Sequence, residues 1–369
     1  MDVFIHFVVF ASGLAALIVG GNGLVRGAET FARLLGVSPL VVGLTVVAFG
    51  TSAPELAVSL TSGLSDYAGL ALGNVVGSNV FNVALILGVA AMMQTLRADR
   101  QLIRFDTPVM LLSCAALFGL ALDGTISRVE GVALAVALLL YLGITVRRAL
   151  REKSSPDERP DNQDDDGLER GDWLLSGIAL TLAAVAIISS RLSWGAGGAL
   201  MGALGVYLAL AHMTDRRGAS HLTSLLILVF SIGAVTMAAR CMVDGAVAIA
   251  RHYGISEAVI GLTVVAAGTS LPEAVTTFAA GKQGKAGIAL GNVVGSNIFN
   301  VLCIVGITGS VVELPVEKAL LEFDFLFMTL VAAAVAALLW WRGALERWAG
   351  ALMLVGFLGY LAVQLSRVT

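Results

Sequence analysis

The chain has 369 residues, 57% of them hydrophobic and 13% charged, with a formal net charge of −3. Soluble domains carry about 25% charged residues, so this composition excludes an ordinary soluble protein. The charge balance offers no basic patch for nucleic acid. Cys114, Cys241 and Cys303 lie far apart inside apolar segments, excluding a disulfide framework or thiolate metal site and leaving them as small packing residues. The histidines are scattered without ligand spacing.

Apolar runs near membrane-spanning length recur along the chain. The first, MDVFIHFVVFASGLAALIVGG, lacks a charged n-region and a small-residue cleavage site, and reads as a membrane helix, not a signal peptide. Membrane helices are expected near 3–21, 40–62, 68–93, 106–122 and 128–147. The polar stretch REKSSPDERPDNQDDDGLERGD follows and reads as a solvated cytoplasmic linker. An EF-hand register starting at Asn162 puts Trp173 where the bidentate glutamate belongs, so no calcium loop is expected there. Two more apolar segments, near 173–190 and 196–213, suggest two extra helices or one re-entrant hairpin. Helices are then expected near 222–243, 258–280, 286–308, 322–341 and 346–366. Trp173, Trp194, Trp340, Trp341 and Trp348 fall near helix ends, as interfacial anchors do.

The chain is one unit written twice. Residues 43–88 align without a gap on 261–306, with 28 identities in 46 positions at an offset of 218. Phe105-Asp106 matches Phe323-Asp324 at that offset, and at 219 Arg128, Gly131, Tyr141 and Arg148 match Arg347, Gly350, Tyr360 and Arg367. The expected organisation is a first repeat over 1–151, an insertion over 152–218 and a second repeat over 219–369. Placing the N-terminus outside puts most Lys and Arg, and the 147–170 loop, on the cytoplasmic side. Seven helices then separate the repeat starts, an odd number, so the halves are inverted as in many secondary transporters.

Each repeat carries an ionisable residue where a membrane helix tolerates one poorly: Glu55 in GTSAPELAV and Glu273 in GTSLPEAVT. A charge at mid-membrane costs about 2.5–3.5 kcal/mol on insertion scales, and such residues mark ion or proton paths. These two are the acidic residues expected deep in the membrane, and an inverted axis would bring them together near its centre. Thr51 and Ser52 lie on the face of Glu55, as Thr269 and Ser270 lie on that of Glu273. Pro54 and Pro272 lack an N–H, which is expected to free the carbonyls of Gly50 and Gly268. In the next helix Asn74, Ser78 and Asn82 recur at intervals of four, as do Asn292, Ser296 and Asn300, with Asn74 and Asn292 in supporting positions. GNVVG, at 73–77 and 291–295, is also a close-packing pattern. Carboxylates, hydroxyls, amides and carbonyls form a hard oxygen set that suits sodium, calcium or magnesium over zinc or copper.

GTSAPE with GNVVGSNVFN, and GTSLPE with GNVVGSNIFN, resemble the two alpha repeats of bacterial-type members of the sodium/calcium exchanger family, within the calcium:cation antiporters. The likeness covers both motifs and, more loosely, all five helices of each half. It implies an all-α polytopic fold of ten helices in two inverted five-helix repeats, here with a two-helix insertion. It also implies an antiporter, not an enzyme, without cofactor, whose central site alternates between sodium ions and one calcium ion. The implied ligands are Glu55, Thr51, Ser52, the Ala48 carbonyl, Ser78 and Asn82. Their counterparts are Glu273, Thr269, Ser270, the Ala266 carbonyl, Ser296 and Asn300. The expected setting is the lipid bilayer of the cell (inner) membrane, and the sequence leaves monomer and homodimer both open.

The chain departs from the family pattern in two ways. Many members carry aspartate at one of the positions held here by Asn82 and Asn300, which weakens a potassium-coupled reading. The insertion has no counterpart role. Proton/calcium exchangers typically carry asparagine-alanine-x-glutamate in place of T-S-x-P-E. A proton-coupled or magnesium exchanger remains the alternative, followed by a passive cation channel. An intramembrane acid protease fits less well, since its dyad is usually two aspartates without a matched hydroxyl and amide shell.

Overall fold

A computed structural model of the chain describes residues 2–64, 68–152, 221–253 and 266–368. The expected insertion helices near 173–190 and 196–213, the acidic linker and the start of the helix expected near 258–280 lie outside the described residues. Among those described, eight helices are long and apolar enough to cross a membrane. A ninth span, Pro39–Thr51 with Ala53–Leu60, is bent by 41°. Among the described residues the fold is all-α apart from four two-residue strands.

Most expected helices appear within a few residues of their expected ends, but the two long ones do not. The first runs Asp2–Leu35 instead of 3–21, and its counterpart runs His221–His252 instead of 222–243. Leu24, Val25, Ala28 and Ala32 are fully buried and prolong the helical stripe past the glycine-rich GGNG. The helix stops only at Gly36, whose φ of 66° admits a left-handed turn. There the Val37 N–H reaches back to the Ala32 carbonyl at 3.0 Å. At about 1.5 Å per residue this helix is roughly 50 Å long, well beyond a hydrocarbon core of about 30 Å.

The chain divides into two compact units, one of Met1–Val42 with Arg147–Ala279 and the other of Gly43–Val146 with Ala280–Thr369. In the first unit Asp2–Leu35 packs antiparallel on His221–His252. A Cβ on Gly13 would lie 2.6 Å from the Met242 nitrogen, and one on Gly245 would lie 2.8 Å from that of Phe10. Gly268 of the second motif faces Val243, and Gly21 faces Val275.

The second unit is organised around the helix Ala286–Val311, in which every residue from Ile288 to Gly306 is buried. Reciprocal contacts between equivalent elements hold this unit together. The ladder Leu96↔Leu345 and Arg97↔Ala344 is matched by Thr125↔Pro315 and Ile126↔Leu314. Gly88 lies against Gly350, while Gly131 meets the backbone of Gly309 and Ser310 so closely that a Cβ would overlap it. π-helical turns recur at equivalent places, Phe81–Leu87 with Asn300–Val305 and Leu102–Asp106 with Leu320–Asp324. Cys114 and Cys303 are free and buried, in keeping with packing roles.

Candidate functional site

The span carrying GTSAPE is broken. A π-helical stretch Gly43–Val47 leads into Ala48–Thr51, the chain turns at Ser52 (φ −82°, ψ 3°), and a new helix runs Ala53–Gly63. The Ser52 N–H closes the upstream turn on the Ala48 carbonyl at 3.0 Å, and the Ser52 carbonyl accepts from Leu56 N–H at 3.1 Å. Pro54 therefore stands in the first turn of a new helix, where a missing N–H costs nothing, instead of interrupting a continuous one. Glu55 falls in the same turn, at the end where free N–H groups carry partial positive charge. The second copy repeats the pattern: Ala266–Thr269, then Leu271–Lys282 with Pro272 and Glu273 in its first turn, and Ala274 N–H on the Ser270 carbonyl at 3.0 Å. Glu55 and Glu273 are both fully buried.

Ala266, Thr269, Ser270 and Glu273 belong to the first unit. Ala48, Thr51, Ser52, Glu55, Ser78, Asn82, Ser296 and Asn300 belong to the second. Within the second unit, four oxygens gather where the first motif meets the helix of the second GNVVG. Thr51 Oγ1 lies 3.2 Å from Asn292 Oδ1, 3.3 Å from the Ala48 carbonyl and 3.5 Å from Ser296 Oγ. A hydroxyl has one proton to donate, so the cluster is richer in acceptors than Thr51 can satisfy alone. Gly295 makes the approach possible: a Cβ there would sit 2.7 Å from Ala48 Cβ and 2.8 Å from the Leu44 carbonyl. Asn74 ties the broken helix to its successor, donating to the Glu55 carbonyl at 3.3 Å and to Ser59 Oγ at 2.9 Å. Ser78, Asn82, Ser296 and Asn300 are all buried.

Two sets of residues were not anticipated. Asn82 Nδ2 donates to Asn297 Oδ1 at 3.3 Å, and Asn300 Nδ2 donates to Asn79 Oδ1 at 3.0 Å. Asn79 and Asn297 directly follow Ser78 and Ser296, off the four-residue stripe that was counted, although both copies carry them. Nor are Glu55 and Glu273 the only buried acids. Asp106 and Asp324 are also buried, each accepting from a tyrosine hydroxyl: Tyr141 at 3.1 Å and Tyr360 at 2.8 Å. Asp106 falls at the start of one expected helix and Asp324 two residues into another, yet each spanning helix begins four residues before its aspartate, at Leu102 and Leu320. Their duplication, Asp106 with Tyr141 and Asp324 with Tyr360, was the signal available.

Among the described residues no three His, Cys, Asp or Glu side chains converge. The donors are neutral oxygens with one carboxylate per motif, a set for hard cations.

A family profile described as sodium/calcium exchanger protein matches residues 5–147 and 223–366. The inner membrane protein YrbG of Escherichia coli is 31% identical over 352 residues, covering 95% of this chain and 94% of its own. The sodium/calcium exchanger MaX1 of Methanosarcina acetivorans is 30% identical over 359 residues, covering 97% and 98%. A solved structure of the sodium-calcium exchanger NCX_Mj superposes with a TM-score of 0.74 at 27% identity, covering 98% of this chain and 99% of that one. With its apolar spans, this is an integral membrane protein of a transporter family, and the chain belongs to the sodium/calcium exchanger protein family.

Proposed function

We propose that this protein is a secondary antiporter that exchanges calcium for sodium by alternating access. The observation that carries the reading is the repeated break: in both copies the helix is interrupted one turn before a buried glutamate, beside hydroxyl and carbonyl oxygens. Broken helices supply ion sites in transporters because their ends present backbone groups with no intrahelical partner. Glu55 and Glu273 supply the charge. Two ionised carboxylates are neutralised by one divalent ion or by two monovalent ones, which makes calcium and sodium loading mutually exclusive. A doubly negative empty site is costly to carry through a low-dielectric path, so exchange is coupled. Thr51, Ser52, Ser78, Asn82 and the Ala48 carbonyl, with Thr269, Ser270, Ser296, Asn300 and the Ala266 carbonyl, complete the oxygen shell. Asparagine at both 82 and 300 keeps that shell free of a third titratable group, which supports sodium over proton coupling. The proposed setting is the inner membrane, with the N-terminus outside, the 147–170 loop in the cytoplasm and two inverted repeats, 1–151 and 219–369, framing the insertion.

The test is radiolabelled calcium uptake into proteoliposomes loaded with sodium, potassium or acid. Uptake driven by the outward sodium gradient and abolished by Glu55→Gln and by Glu273→Gln is expected. Uptake driven only by the pH gradient would reassign the protein to proton coupling. Flux that neither saturates nor requires a counter-ion would make it a channel.

A further inference from the structure

The four asparagines that end GNVVGSNVFN and GNVVGSNIFN form a crossed network with an unusual remainder. Asn82 donates an amide proton to Asn297 Oδ1, and Asn300 donates one to Asn79 Oδ1. The two acceptors are also linked to each other, Asn79 Nδ2 lying 3.5 Å from the Asn297 carbonyl. On their far sides they meet methionine sulfur, Asn79 Nδ2 at 3.6 Å from Met328 Sδ and Asn297 Nδ2 at 3.7 Å from Met110 Sδ. All four asparagines are buried. With Nδ2 held on both, the Oδ1 atoms of Asn82 and Asn300 are buried without a hydrogen-bond partner among the described residues. A buried acceptor left without a donor costs about 1–3 kcal/mol. Two equivalent ones in a single network point to a ligand that brings positive charge and no competing acceptor.

We propose that Asn79 and Asn297 are positioning residues: they take the amide protons of Asn300 and Asn82 and so turn Oδ1, not Nδ2, of each toward the transported cation. This rests on the exchange reading above and names how two of its neutral ligands are oriented. It also accounts for asparagine at both positions. Each clamp presents an oxygen, so the residue that it holds must offer an N–H. An aspartate at 82 or 300 would set a carboxylate against an amide oxygen. Turning the clamp over would instead move its own oxygen onto methionine sulfur, another acceptor. The crossing is specific, since Asn297 acts on Asn82 and Asn79 acts on Asn300.

Calcium uptake kinetics into sodium-loaded proteoliposomes test this through double-mutant cycles over the four residues. Asn82→Ala and Asn297→Ala are each expected to raise the KM for calcium about 10-fold or more, in the range seen when a ligand's orienting partner is removed. The maximal rate should change little. Asn82→Ala combined with Asn297→Ala should be no worse than either alone, and likewise for Asn79 with Asn300. The uncrossed pairs, Asn79 with Asn82 and Asn297 with Asn300, should multiply. Effects that multiply in all four pairs would overturn the clamp, as would an Asn297→Ala protein with an unchanged KM beside a weakened Asn82→Ala. Absence of sodium-driven uptake in the wild type would instead overturn the exchange reading, and the clamp with it. Should an alanine variant fail to fold, Asn297→Ser and Asn79→Ser keep a small acceptor, and melting of the purified protein supplies the second readout. Loss of a clamp shrinks the rise in Tm that calcium produces, whereas a merely structural role lowers the calcium-free Tm and leaves that rise intact.

Discussion

Two pairs of equivalent regions have diverged to different degrees. The breaks at Ser52 and Ser270 agree in detail: a short helical turn, a turn residue, proline and then glutamate in the first turn of the next helix, and a serine carbonyl accepting from the N–H four residues on. The buried aspartates agree only in part. Asp106 and Asp324 each take a tyrosine hydroxyl, and each tyrosine stacks on the preceding phenylalanine, Phe105–Tyr141 at 5.9 Å and Phe323–Tyr360 at 5.8 Å. Asp324 takes the Gln364 amide and lies 3.6 Å from the Arg367 guanidinium, which also sits 4.9 Å from the centre of the Phe323 ring. Threonine, at 145, stands in the first copy where Gln364 stands in the second. Asp106 is wholly buried, whereas Asp324 keeps 4% of its surface. The difference separates two demands on a buried carboxylate. On the exchange proposal, a carboxylate that takes up and releases an ion needs the same geometry in both copies. One that only has to be held can be held by whatever donors its surroundings offer.

The largest effects should come from the agreeing pair. Glu55→Gln and Glu273→Gln are each expected to cut sodium-driven calcium uptake by more than about 100-fold, beyond the range for partners that merely orient a ligand. Equal losses would sharpen the equivalence. A variant at one position that retained most of its uptake would break it and leave a single carboxylate responsible for the ion.

Next come two glycines with equally tight neighbours and different consequences. A Cβ at 295 meets Ala48 and Leu44, so Gly295→Ala must push the GTSAPE strand of oxygens away from Asn292 and Ser296. The expected outcome is a KM for calcium raised about 10-fold. A Cβ at 350 would lie 2.5 Å from the Gly88 carbonyl and 2.8 Å from the Met92 nitrogen, and meets none of the residues of that cluster. Overpacking there should lower stability by about 1–3 kcal/mol with KM unchanged. Uptake kinetics and thermal melting of the same two preparations distinguish the effects, and a Gly350→Ala protein with raised KM would refute the separation.

Much of this was legible in the residues, for reasons that can be named. Runs of apolar residues with polar ends located most spans, because lipid demands length and hydrophobicity of any helix that crosses it. Their true ends were less legible: Asp2–Leu35 outlasts its apolar core because Arg26 and Glu29 are compatible with helix, and nothing stops it before Gly36. The two-residue ladders left no trace, since Leu96 and Leu345 pair through backbone groups across the whole sequence. In the motif, spacing of four assumed one uninterrupted α-helix. Pro54 in fact opens a helix, and a π-helical turn begins at Phe81, which re-aims the residues around it. Asn79 and Asn297 lie in regular helix just before the π-helical turns and escape a count of four-residue intervals, being three residues from Asn82 and Asn300. Asp106 and Asp324 escape because a carboxylate at an expected helix start looks like an ordinary end residue.

The smallest effects should come from the unequal pair, and they test whether its inequality is energetic. Tyr360→Phe removes one donor from Asp324. A hydrogen bond to a charged group contributes about 1.5–3 kcal/mol, and Gln364 remains in place, so the loss should fall near the lower end of that range. Tyr141→Phe removes the matching bond from the more deeply buried Asp106 and should cost more. Arg367→Gln should cost least. Its side chain is 35% exposed and its contact to Asp324 is 3.6 Å long, so solvent screening holds the pair below about 1 kcal/mol. Melting of the purified variants in detergent gives the order directly. Repeating the Arg367→Gln comparison at high salt should erase its deficit, because what remains of an exposed ion pair is screened, whereas the deficits of the two tyrosine variants should persist. A salt-resistant loss at Arg367 as large as that of Tyr360→Phe would mean that the guanidinium, not the phenol, holds Asp324.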